Sequence, residues 1–84
     1  MIQKEASIKD VLELLEQMQF EDCVPRNVKI KLKGIHSVLT SNDNVLAIRI
    51  DKSIQELDGI AEDQFVPIHI RTQIWGIVSK LECV

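Results

Sequence analysis

Aromatic residues are scarce in this 84-residue chain, which has no tyrosine and only Phe20, Phe65 and Trp75. None of them interleaves with the basic cluster Arg26, Lys29, Lys31 and Lys33, so a platform on which successive nucleobases could stack is missing. An excess of positive charge is missing as well. Ten Lys plus Arg stand against thirteen Asp plus Glu, a net charge of −3, whereas proteins that grip nucleic acid through its phosphates are usually basic. Cysteine is limited to Cys23 and Cys83, which form no C-x-x-C pair and no ligand spacing with His36 or His69. In a chain without a secretory leader, these read as reduced thiols of a cytoplasmic protein. No apolar run approaches the ~18–20 residues that span a bilayer, so no membrane partner is expected. Walker loop, Rossmann glycine pattern, nucleophile elbow and Ser-His-Asp order are all absent. These absences lead to the expectation of no catalytic residues, no metal and no cofactor.

What remains is 45% hydrophobic and 27% charged, the composition of one globular domain with no room for a second core. Its dominant feature is a repeat. Val24-Pro25 recurs as Val66-Pro67, 42 residues later in a chain of 84, and Gly34-Ile-His-Ser37 recurs as Gly76-Ile-Val-Ser79.

The repeat resolves an ambiguity. Val28 to Lys33 alternates apolar and basic residues, a strand pattern, and Val45 to Ile50 is rich in β-branched residues. Taken locally, residues 27–50 fit a β-hairpin. At helical spacing, Val28, Leu32, Ile35 and Leu39 form one stripe. Shifted by 42, that stripe falls on Ile70, Ile74, Ile77 and Leu81, while the lysine alternation has no second copy. The same shift carries Ile8, Leu12, Leu15 and Met18 onto Ile50, Ile54, Leu57 and Ile60. The helical reading therefore prevails: helix, Val-Pro elbow, helix, written twice.

The expected fold is all-α, an antiparallel four-helix bundle built from two copies of a helical hairpin, residues 1–42 and 43–84. Helices are expected near 7–20, 25–39, 43–61 and 67–82. Ser7 would cap the first and Thr40 to Asp43 the third, with prolines opening the second and fourth. The expected core takes Ile8, Leu12, Leu15, Val28, Leu32, Ile35, Leu39, Ile50, Ile54, Leu57, Ile70, Ile74, Ile77 and Leu81.

Val24-Pro25-Arg26-Asn27-Val28-Lys29 and Val66-Pro67-Ile68-His69-Ile70-Arg71-Thr72-Gln73-Ile74-Trp75 resemble the small archaeal group known as uncharacterised protein family 0147, and the likeness extends over nearly the whole chain. The resemblance implies a short helical protein of archaeal, cytosolic origin and brings no activity or catalytic residue with it. Glu-Asp ahead of each elbow departs from the Asp-Pro frequent in that group.

Several surface features remain for function. His36 and His69 read as surface histidines, and Cys23, beside the start of the second helix, as a small buried hydrophobe. Gly34 and Ser37, with Gly76 and Ser79, mark positions where two helices would approach closely, the second against the fourth or across subunits. Ile30, Ile48, Ile68 and Trp75 point away from the expected core, and large apolar residues on outer faces suggest an interface. The leading expectation is a non-enzymatic interaction module that forms a homodimer or binds a protein partner. The alternative is a nucleic-acid or ribonucleoprotein accessory factor using Arg26, Lys29, Lys31 and Lys33.

Overall fold

The computed structural model describes residues 3–83, and the side chains of residues 8–83. Helices α1 (Gln3–Met18), α2 (Arg26–Thr40), α3 (Leu46–Ala61) and α4 (Ile68–Glu82) account for most of the chain, and there is no strand among the described residues. The alternating segment Val28 to Lys33 is helical, as the repeat requires. Each helix packs on the next, α4 returns to α1, and no Cα of α2 lies within 8 Å of one in α4. The helices thus form a closed ring around one core.

Both elbows carry the same backbone hydrogen bonds. Glu21 N–H donates to Met18 O at 3.2 Å and Val24 N–H to Glu21 O at 3.2 Å; in the second copy Asp63 donates to Ile60 O at 3.0 Å and Val66 to Asp63 O at 3.1 Å. Pro25 and Pro67 then sit just outside their helices as N-caps, with φ −58° and ψ near 150°. A proline there loses nothing, since its missing N–H would have no intrahelical acceptor. Each proline carbonyl accepts from the N–H groups three and four residues on, all at 3.0 Å.

Two starts differ from expectation. α1 already runs from Gln3, so Ser7 lies within it rather than capping it. α3 is capped by Val45, whose extended backbone imitates the prolines; Ser41 Oγ instead accepts from the Asp43 N–H at 3.0 Å within the connection. Arg49 closes this joint, donating through Nη1 to Leu39 O at 2.8 Å and through Nε to Asn44 O at 3.0 Å. It satisfies one carbonyl that the end of α2 leaves open, that of Leu39, and one in the connection itself, that of Asn44.

The core takes Val28, Leu32, Ile35 and Leu39 from α2 and Ile70, Ile74, Ile77 and Leu81 from α4, the expected stripes. On α1 and α3 the buried stripe is rotated by roughly 40–60° from expectation at about 100° per residue, with Leu15 and Leu57 common to both. Val11, Leu15 and Met18 are buried, with Leu57, Ile60 and Ala61, while Ile8, Leu12, Ile50 and Ile54 are only partly covered. The reason is geometric: α1 also carries Leu14, and its apolar arc is wide enough to face both α2 and α4, so the ring selects the centre of the arc. Val24 and Val66 seal the elbows. Ser53, the repeat counterpart of Val11, is buried and satisfied by donating to Arg49 O at 2.8 Å.

The glycine reading needs correction within the chain. α2 and α4 sit on opposite sides of the ring, and a Cβ built on Gly34 or Gly76 meets nothing within 4 Å. Neither marks a close approach inside the monomer.

Gly34→Ala and Gly76→Ala should therefore each stabilise the isolated chain, by about 0.5–1 kcal/mol in urea titrations, because a helical glycine only adds unfolded-state entropy there. Leu57→Ala should cost about 2–5 kcal/mol in the same measurement, the range for truncating a fully buried leucine. Arg49→Met should cost about 1–3 kcal/mol by leaving two carbonyls without a charged donor.

Candidate functional site

Elbow residues of the first copy meet the start of α4. Cys23 Sγ lies 3.5 Å from His69 Nε2 although the two are 46 residues apart. With a Glu21 carboxylate oxygen, these atoms all fall within 4.8 Å of one another, and all three residues are exposed. Cys23 is therefore not the small buried hydrophobe that its counterpart Phe65 suggested, and Phe65 itself is 75% exposed. The trio escaped sequence reasoning because its members show no local ligand spacing. The available signal was the repeat: in a closed ring, α1 borders α4, so the elbow after α1 can reach the first turn of α4. Shifted by 42, Glu21 and Cys23 become Asp63 and Phe65, and His69 corresponds to Asn27. Only one junction holds a thiol and an imidazole.

His36 lies elsewhere. Its Nε2 is 3.3 Å from Glu16 Oε2, tying α2 to α1 at a partly exposed position. Pairs of this kind contribute little stability in water.

The apolar residues singled out in the sequence are all exposed, but they do not share one surface. Ile68 and Trp75, seven residues apart, stand on the outer side of α4 and are 68% and 51% exposed. Thr72 and Ser79 lie between and beyond them, also exposed. Phe65 precedes them in the elbow. Ile30 stands on the outer side of α2, across the ring, and Ile48 near the start of α3. The two outer faces correspond under the repeat with opposite character: Arg26 becomes Ile68, and Lys33 becomes Trp75.

The basic cluster is also divided. At about 100° per residue, Arg26, Lys29 and Lys33 fall on one side of α2, while Lys31 projects more than a quarter-turn away. Lys31 instead lines a groove of ≈ 370 Å³ between α2 and α3, with Gly34, Val38, Lys52 and Glu56. The open space at Gly34 belongs to this groove.

Comparison with known proteins gives a consistent result. The sequence profile of the uncharacterised protein family UPF0147 matches residues 1–84. A UPF0147 protein of Archaeoglobus fulgidus is 36% identical over 75 residues, which cover 89% of this chain and 85% of the relative. One of Methanosarcina mazei is 34% identical over 77 residues, covering 92% and 83%. Among solved structures, the crystal structure of a protein from the same family from Thermoplasma acidophilum superposes with a TM-score of 0.93 at 29% identity, covering 99% of this chain and 98% of that one. The crystal structure of the unknown-function protein MMP1188 gives a TM-score of 0.87 at 40% identity, covering 93% and 89%.

Proposed function

The chain belongs to the uncharacterised protein family UPF0147, whose curated relatives are archaeal, and from that premise we propose that it is a non-enzymatic interaction module acting as a homodimer in the cytoplasm. The carrying observation is the pair Ile68 and Trp75, two turns apart on the one outer helix face where the second copy replaces Arg26 and Lys33 by large apolar groups. Tryptophan combines large apolar area with low conformational entropy, which is why it dominates binding hot spots. A second copy of the chain is the simplest partner, α4 of one protomer lying against α4 of the other about a two-fold axis. Thr72, Gly76 and Ser79 are small enough there to admit a second helix, and Gly76 has space beyond its Cα. Each protomer is a single domain of two hairpins, residues 1–42 and 43–84, closing antiparallel. The identical elbow hydrogen bonds and the order of packing around the ring support that arrangement. No helix among the described residues is long and apolar enough to cross a membrane.

The alternative role, a nucleic-acid or ribonucleoprotein accessory factor, has Arg26, Lys29 and Lys33 on one side of α2 in its favour. The net charge of −3 weighs against it.

Size-exclusion chromatography with light scattering should return twice the 9.6 kDa chain mass. Trp75→Ala and Ile68→Asp should each weaken the dimer on the order of 30-fold or more, the scale of a hot-spot residue at about 2 kcal/mol. A monomer at millimolar concentration, with Trp75 substitution leaving every partner assay unchanged, would sink the proposal. Retention on an RNA column that falls with salt and disappears on neutralising Arg26, Lys29 and Lys33 would instead establish the alternative.

A further inference from the structure

We propose that Glu21, Cys23 and His69 form a zinc site that fastens the first elbow to the start of α4. Tetrahedral zinc with a thiolate at about 2.3 Å and an imidazole nitrogen at about 2.0–2.1 Å places those two donors roughly 3.5–3.6 Å apart. Cys23 Sγ and His69 Nε2 are 3.5 Å apart. The third donor, a Glu21 carboxylate oxygen, lies within 4.8 Å of both, and as an exposed side chain it can rotate to close the remaining gap.

The donor set argues for the metal. A thiolate, an imidazole and a carboxylate suit zinc, whereas magnesium and calcium favour oxygen donors alone. All three positions are set by backbone geometry. Glu21 N–H is bonded to Met18 O and Val24 N–H to Glu21 O, so Glu21 and Cys23 leave a pinned turn together. His69 sits in the first turn of α4, held by the Pro67 carbonyl pairing that begins the helix. A net negative chain, with Asp22 between two of the ligands, also favours a cation. Three protein donors leave a fourth position, which water fills at this exposed site. On binding, the Cys23 thiol gives up its proton to solvent and the thiolate becomes the ligand. No oxidation or reduction is involved.

The consequence is specific to one of the two junctions. The second elbow offers Asp63 and Phe65, and the first turn of α2 offers Asn27, so the counterpart of the site has no thiol and no imidazole. The ion would thus tie together elements distant in sequence without depending on the α4 face assigned to dimer formation.

The test uses untagged, reduced protein with cobalt(II) as the spectroscopic probe and zinc as the competitor. Cobalt should produce a thiolate-to-metal charge-transfer band and the visible bands of tetrahedral coordination, saturating at one ion per chain. Zinc should displace it, and zinc but not magnesium should raise the thermal midpoint. Both effects should vanish in Cys23→Ser and fall at least tenfold in affinity in His69→Gln, while Cys83→Ser keeps them in full. Circular dichroism of the Cys23→Ser protein checks that its helices are intact; should that variant fail to fold, blocking Cys23 with a thiol reagent in the Cys83→Ser background must abolish the cobalt spectrum. Absence of the charge-transfer band, or its survival in Cys23→Ser, overturns the site. Light scattering of Cys23→Ser separates this proposal from the dimer, which should persist without the ligand thiol.

Discussion

Four helices of 15 or 16 residues are each marginal alone in water, and the molecule depends on their burying one stripe apiece in a shared core. Val11 and Leu15 of α1, Leu32 of α2, Leu57 of α3 and Ile74 of α4 meet there with no solvent exposure. Because the packing is a ring, every helix has two neighbours, an inner face and one face left outside. That outer face is free of the core's demands. Function, if it resides on a surface, has four such faces and two elbows available to it.

The two copies show how this freedom is used. Where the core constrains them they agree: Val28 with Ile70, Leu32 with Ile74, Leu39 with Leu81, and both Val-Pro elbows with the same backbone hydrogen bonds. On the outside they part. Arg26 and Lys33 stand where Ile68 and Trp75 stand, and Glu21, Cys23 and His69 have no equivalent trio. One repeated sequence pattern thus presents two chemically different outer faces, with Arg26 and Lys33 on α2 and Ile68 and Trp75 on α4.

The helices were legible because the repeat supplied a second copy of each helical stripe but none of the lysine alternation. Without it, Val28 to Lys33 would have stayed undecided between strand and helix, since strict alternation is as good a local signal as the helical stripe. The phase of α1 was not legible. Ile8, Val11, Leu12, Leu14, Leu15 and Met18 cover so wide an arc that several orientations bury an apolar stripe, and only the positions of α2 and α4 choose among them. The start of α3 was missed for a different reason: Val45 adopts an extended backbone that its side chain does not advertise, while the polar residues before it serve the loop.

Sequence alone determined the helical class, the repeat at an offset of 42, the Val-Pro elbows and the stripes of α2 and α4, because each rests on spacing along the chain. Tertiary structure decided whatever depends on which helix neighbours which. It separated α2 from α4, so Gly34 and Gly76 border open space rather than each other. It divided the apolar residues, leaving Ile68 and Trp75 together and Ile30 across the ring. It also brought Cys23 to within 3.5 Å of His69 across 46 residues of chain, a proximity that linear spacing cannot encode because the closing of the ring creates it.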